Sequence, residues 1–179
     1  SEVQGIELEF TALLTDSLTL DANFGYLDTE ITSSFEYLDN VVAQQYSFTK
    51  EQDRYDLKVD IIGNELAKAP DLNIDVSLNY ATTLPNGNGL TSVLQFVKRG
   101  EFFQRVANRP AQDAIPAYEI VNLSIGLEFS DNSSVDFIFT NLTDEDGINS
   151  SMTDVFGVAG TGIEYIPPRQ MMTRYSIDF

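Results

Sequence analysis

The chain has no cysteine and no histidine among its 179 residues. Without cysteine there is no disulfide framework and no thiolate metal site, and without histidine the commonest metal ligand and general base is missing. A Ser or Thr nucleophile would have only Lys, Tyr or a carboxylate as its base, and no segment resembles G-x-S-x-G. The sequence therefore predicts neither an enzyme nor a cofactor. Basic residues are scarce as well, 10 Lys and Arg against 28 Asp and Glu, for a formal charge of -18. A nucleic-acid partner needs a basic footprint that displaces counterions, so that class is excluded. No run reaches the roughly 18 apolar residues of a membrane-spanning helix, and the first residues carry no charged-then-apolar signal segment. A membrane role would have to use strands.

What the chain does have is alternation. In "VQGIELEFTALL", Ile6, Leu8, Phe10, Ala12 and Leu14 share one face while Gly5, Glu7, Glu9 and Thr11 share the other. That is the period of two of a strand. After "TDS" the pattern resumes with Leu18, Leu20, Ala22, Phe24 and Tyr26, so the two runs read as a hairpin. It recurs in "PDLNIDVSLNYA" and "IVNLSIGLEF", blurs in "LTSVLQFVKRGEFF", and returns in "SVDFIFTNL" and the terminal "RQMMTRYSIDF". Seven antiparallel strands are predicted.

The connections alternate too. "TDS", "PNGNG" and "SDNSS" are short and made of turn formers, Gly and Asn supplying positive φ and Asp or Ser forming local side-chain turns. Between them lie the long segments 28–65, 104–117 and 143–165. A meander with its long loops at one end follows.

Alternation alone does not say which face is wet. Globular strands average about 5–6 residues, whereas a tilted strand crossing a bilayer needs about 9–11, and these runs are of the longer kind. Tyr26, Tyr80, Tyr118, Phe129, Tyr165 and Phe179 fall near strand ends, as in the aromatic girdles of membrane barrels. Glu7, Glu9, Asp21, Asp75, Glu128, Arg174 and Asp178 lie on the polar face, where an aqueous or protein-filled lumen would spare them the several kcal/mol of unpaired burial. The expected fold is an all-β transmembrane meander. With short turns in the periplasm and both termini of a bacterial barrel inside, seven strands place Val3 at the outer end. An open edge cannot stand in hydrocarbon, so the count predicts a carboxy-terminal portion of a larger barrel, with earlier strands supplied from outside this sequence.

Several segments resemble TonB-dependent outer-membrane receptors. "EVQGIELEF" carries that family's G-x-E-x-E/D pattern on Gly5, Glu7 and Glu9, and "LAKAPDLNIDVSLNY" is similar to its Pro-to-Tyr strand. "NLTD" at Asn141–Asp144 resembles its penultimate-strand ending, and "PPR" at Pro167–Arg169, followed by a Phe-terminated strand, resembles its last. The resemblance runs along nearly the whole chain. It implies a barrel of about 22 strands closed by an amino-terminal plug, the plug lying outside residues 1–179. It also implies import of a scarce ligand of the ferric siderophore, cobalamin or glycan class, energised by TonB, in the outer membrane of a Gram-negative bacterium. The implied partners are the rest of the barrel and its plug, the TonB complex, the barrel-assembly machinery, and surrounding lipid and lipopolysaccharide. Tyr175, Ile177 and Phe179 match the aromatic-ended signal that the assembly machinery reads.

Receptors of this kind hold ligands with plug apices and outer loops. Within 28–65, Tyr46 and Tyr55, with Phe35, Tyr37 and Phe48, stand among nine acids and three bases as a lid or ligand wall, against the blander reading of a solvated loop. Arg99, Arg105 and Arg109 are candidates for meeting an anionic ligand, against salt bridges to the abundant acids. "DEDGINSSMTD" fails as an EF-hand because Gly147 is fourth from Asp144 and Val155 is twelfth, where the motif needs Gly at six and Glu at twelve. The competing functions are a passive porin-like channel and a soluble β-sandwich adhesin or carbohydrate-binding module.

Overall fold

The computed structural model describes residues 1–49, 57–154 and 160–178, with 45–49 described by their backbone alone. Two long strands open the chain, β1 (Glu2–Thr15) and β2 (Leu18–Glu30). Then come the short β3 (Glu36–Tyr37), helix α1 (Asn40–Thr49) and short β4 (Val59–Asp60). The long pair β5 (Leu72–Thr83) and β6 (Gly89–Arg99) follows. After it lie β7 (Phe102–Phe103), the single turn α2 (Pro110–Asp113) and β8 (Ala114–Ile115). A third pair comprises β9 (Tyr118–Glu128) and β10 (Ser133–Thr140). The hairpin of β11 (Ile148–Thr153) and β12 (Thr161–Tyr165) precedes β13 (Gln170–Ile177).

The seven long strands form one antiparallel sheet in the order β1-β2-β5-β6-β9-β10-β13, and the other six make three separate two-stranded ribbons. All seven expected strands are present. One boundary differs: the run "LTSVLQFVKRGEFF" is not a single strand. It stops at Arg99, and Phe102 and Phe103 turn away to pair with Ile115 and Ala114. Gly100 allows the break, since a Cβ there would lie 1.9 Å from an Asp71 carboxylate oxygen and 2.7 Å from the Leu72 nitrogen.

Register converts the alternation into two continuous surfaces. One row crosses the sheet as Ala12, Leu20, Leu78, Leu94, Leu123, Phe139 and Met171. The adjacent row, on the other face, runs Thr11, Asp21, Ser77, Gln95 and Asn122. Thr11 and Asn79 donate to the Asp21 carboxylate at 2.7 and 2.8 Å, Gln95 donates to Asp75 at 2.7 Å, and Asn122 donates to Gln95 at 3.0 Å. These cross-strand bonds satisfy polar groups that an apolar core would leave costly.

Among the described residues nothing covers the apolar face: Ile6, Leu8, Phe10, Phe24, Leu94 and Phe137 remain exposed there, and these residues form no second sheet on that side of the kind a sandwich requires. Burial is found instead in the long loops, where Ile31, Val41, Ala43, Ile61, Phe102, Ile115 and Ile166 are enclosed. Tyr26, Tyr80 and Phe129 sit exposed near strand ends on the apolar face, as expected of girdle residues. Tyr165 and Tyr118 do not. Tyr165 lies on β12, in a ribbon apart from the seven-stranded sheet. Tyr118 pairs with Arg99 on the polar face and is buried against Gly147, where a Cβ would fall 2.7 Å from the Tyr118 ring.

Candidate functional site

The three long connections emerge at one end of the sheet and pack on one another as a cap. The first is tied down by side chains at its base: Asn64 donates to the Val106 carbonyl at 2.8 Å, and the Glu65 N–H donates to the Asn108 side chain at 2.6 Å. Asn108 has φ of 47°, a left-handed conformation that Asn tolerates better than most residues. The third connection joins through Ser151, whose hydroxyl donates to the Gln112 carbonyl at 3.3 Å.

At the junction lies a cluster of two acids and two arginines. Asp39 and Asp113 are fully buried. Arg105 donates through Nε to Asp113 at 2.6 Å, and Arg109 donates through Nε to Asp39 at 2.6 Å. The remaining carboxylate oxygens accept from the Val41 N–H at 3.0 Å and the Arg109 N–H at 2.9 Å. Arg105 Nη1 lies 3.8 Å from Asp39, and among the described residues neither Nη1 nor Nη2 of Arg105 has a hydrogen-bond partner although both are buried. The cluster thus joins the first loop to the second with charges that balance, at the cost of unsatisfied donors on one guanidinium.

Two larger spaces are lined by other residues of the described chain. An open recess of about 870 Å³ lies against the β11–β12 hairpin, lined by Ser150, Met152, Thr153, Ile163 and Glu164 together with Lys68 and Gln104. Lys68 is exposed and has no ion pair among the described residues. A second cavity of about 710 Å³ lies mostly against the polar face below the loops, with Glu7, Glu9, Asp75, Arg99 and Tyr118 in its wall. A smaller space of about 200 Å³ gathers Asp28, Glu65, Asp71 and Glu101. Burial first, then the charges of Glu101, Asp71 and Asp28, pushes the Glu65 carboxyl above its ordinary range. Among the described residues, no three acids converge closely enough to hold a metal ion.

The candidate residues divide accordingly. Arg105 and Arg109 lie together in the buried cluster. Arg99 ends β6, stacks its guanidinium 4.4 Å from the centre of the Phe102 ring, and reaches the polar-face cavity. Tyr46 is on α1 by its backbone. Tyr55 and Phe179 lie outside the described residues. Tyr175 and Ile177 are exposed on β13, opposite Val135 and Ser133. The structure adds Lys68, Gln104 and the β11–β12 hairpin, which no periodicity or motif in the sequence marks.

A profile of the TonB-dependent receptor-like β-barrel matches residues 1–142. The chain belongs to the TonB-dependent receptor family. Members of this family are outer-membrane β-barrels and act as receptors. No similar sequence was found among curated proteins. Among solved structures, the ferric yersiniabactin uptake receptor FyuA from Yersinia pestis superposes with a TM-score of 0.74 at 17% identity, covering 99% of this chain and 23% of FyuA. The siderophore receptor PiuA from Acinetobacter baumannii gives 0.68 at 18% identity, over 97% of this chain and 22% of PiuA. BauA, the ferric preacinetobactin receptor from the same organism, gives 0.60 at 15%, over 97% and 21%. The chain thus spans less than a quarter of the length of these structures, and its seven-stranded sheet corresponds to a section of a TonB-dependent receptor wall. In that setting the uncovered apolar face is the lipid face, the polar face is the lumen, and the cap is extracellular.

Proposed function

We propose that this chain is the wall section and outer loops of an active importer in the outer membrane of a Gram-negative bacterium, carrying a ferric siderophore with energy supplied through TonB. The observation that carries the reading is the cap. Its loops are packed around their own buried residues and buried ion pairs, so they can hold a ligand-sized recess in a fixed shape above the lumen. The neighbours of known structure support the ligand class, two being ferric-siderophore receptors by description and the third a siderophore receptor. Cobalamin and glycans are the other ligand classes that such an importer serves.

In this reading the ligand first meets the recess between Lys68, Gln104 and the β11–β12 hairpin, where one cation and several hydroxyl groups stand beside Met152 and Ile163. It then passes toward the luminal cavity bearing Arg99, where a plug would make its own contacts with Glu7, Glu9 and Asp75. Tyr46, on α1 by its backbone, and Tyr55, in the same sequence segment, remain our candidates for further ligand contacts. Tyr175, Ile177 and Phe179 serve assembly rather than binding, so removing Phe179 lowers the amount of inserted protein and leaves ligand affinity unchanged.

The test is uptake of radiolabelled ferric siderophores by iron-starved cells that do or do not express the full protein, with TonB present or deleted. The proposal expects accumulation that requires both. Accumulation that survives loss of TonB would instead mark a passive porin-like channel, and no accumulation of any ferric chelate would overturn the ligand class.

A further inference from the structure

Strands β10 and β13 pair over eight residues, from Ser133 opposite Ile177 to Thr140 opposite Gln170. Their connection, residues 141–169, is far longer than the two-residue turns that dictate register in a hairpin. Side-chain alternation rejects a slip of one residue, because every apolar group would change face, but it does not reject a slip of two. Val135, Phe137 and Phe139 would still meet Met171, Thr173 or Tyr175 on the same side. The ion pair between Asp136 and Arg174, at 2.9 Å, does discriminate, yet it is exposed on the arginine side and exposed pairs contribute little.

A knot at the first residues beyond the pairing supplies what the strands lack. Asn141 is 3% exposed and has φ of 49°. Its Nδ2 donates to the carbonyls of Glu145 at 2.9 Å and Pro167 at 3.0 Å, and its Oδ1 accepts from the Glu145 N–H at 2.8 Å. Asp144, with φ of 60°, accepts the Arg169 N–H at 2.9 Å and pairs with the Arg169 guanidinium at 3.5 Å. Arg169 also donates to the Leu142 carbonyl at 3.4 Å, and the Ile166 N–H donates to Gly147 at 2.9 Å. Asn and Asp are the residues that enter the left-handed region at least cost while offering a side chain for local bonds. The knot is also fastened to the sheet, because the Asn141 N–H donates to Asn122 at 3.0 Å, and Asn122 is linked through Gln95 to Asp75.

We propose that the Asn141–Asp144–Arg169 knot is a positioning device that locks β13 onto β10 against two-residue slips, and so fixes where the free edge of β13 meets its next strand. This concerns the wall and holds whichever ligand is carried. A slipped β13 would displace its free edge along the barrel by two residues and misalign every backbone donor and acceptor there.

Residues 1–179 contain no cysteine, so once any cysteine elsewhere in the full protein is replaced by serine, engineered pairs provide a clean test. In the full protein, expressed in outer membranes, Ile138→Cys with Met172→Cys reports the observed register. Ile138→Cys with Gln170→Cys, and Ser134→Cys with Asp178→Cys, report the slips in the two directions. Directly opposed pairs are close enough to form a disulfide and pairs two residues out are not. With the knot intact, only the first combination cross-links. With Asn141→Ala and Asp144→Ala added, several hydrogen bonds of roughly two- to tenfold each are lost, and the slipped cross-links rise on the order of 10- to 100-fold. A doubly substituted protein that inserts and still cross-links only at 138 and 172 would overturn the proposal. If that protein fails to insert, Ile138→Cys with Met172→Cys oxidised during assembly must restore insertion; failure of the rescue would equally overturn it.

Discussion

The wall and the cap solve opposite solvent problems with one chain. In the wall, both the apolar rows and the polar ladders lie on the surface of a single sheet, and among the described residues nothing packs over large side chains such as Leu94, which is 43% exposed. In the cap, where the surroundings are aqueous, Phe102 and Ile115 are almost fully enclosed and even the charged Asp39 and Asp113 are shut away from water. The difference teaches where hydrophobic stabilisation comes from in each half. The wall draws it from lipid, and the cap must build its own small core and staple it with ion pairs.

The largest expected effect lies in the cap. Asp39→Ala leaves Arg109 without its carboxylate and Arg105 with one fewer nearby charge, which costs the cap about 3–5 kcal/mol as a broken buried pair. Hydrogen exchange of the first two loops accelerates while that of the long strands is unchanged. Uniform acceleration through both regions would mean that wall and cap are not separable. Next comes the wall: Leu94→Arg, in the row between Leu78 and Leu123, costs about 2–4 kcal/mol in a bilayer, read from urea refolding into vesicles. The same change at Ile62, which is 52% exposed in the cap, moves stability by no more than about 0.5 kcal/mol.

Gly147→Ala is intermediate, because its Cβ would meet the Tyr118 ring and the Ile166 side chain, an overpacking of about 1–3 kcal/mol. It loosens the third loop on proteolysis and leaves the wall intact. The smallest effect is electrostatic. The Glu65 carboxyl is raised in the folded state, so its ionisation opposes folding of the cap. That penalty is absent below the ordinary value of 4.5 and complete above the raised one. Glu65→Gln therefore stabilises the cap at neutral pH by at most about 0.5 kcal/mol after solvent screening, and the gain disappears on acidification. Asp60 works in the reverse sense, since bonds from Ser34 and from the Ile62 and Phe35 N–H groups lower its carboxyl, and what they contribute is lost as the pH falls through and below 3.8.

How much of this can be read from the residues alone follows the same division. A strand pairing with its neighbour in sequence is written in its own alternation, so Leu72 to Tyr80 or Val121 to Phe129 can be placed without knowing what they touch. Tyr118 shows the limit. It stands an odd number of residues from Val121, so its parity already puts it on the polar face, and proximity to a strand end was the weaker guide. The cap has no such periodicity. Ile31 and Ile61 in the first loop, and Phe102 and Ile115 in the second, are buried only once their loops have folded. Arg105 and Arg109 are conspicuous in an acid-rich chain, yet Asp39 and Asp113 are two carboxylates among many, and only the fold selects them as partners. The β11–β12 hairpin, in "INSSMT" and "TGIEY", is too short and too polar to announce itself.

The division between a lipid-facing and a lumen-facing surface is tested most directly by single cysteines along β6, placed in turn at Leu94, Gln95, Phe96 and Val97 in the full protein in lipid vesicles, each carrying a fluorophore. Quenching by a nitroxide-labelled lipid must alternate, strong at 94 and 96 and weak at 95 and 97. Equal quenching at all four, or the opposite alternation, would contradict the placement of the apolar face against lipid.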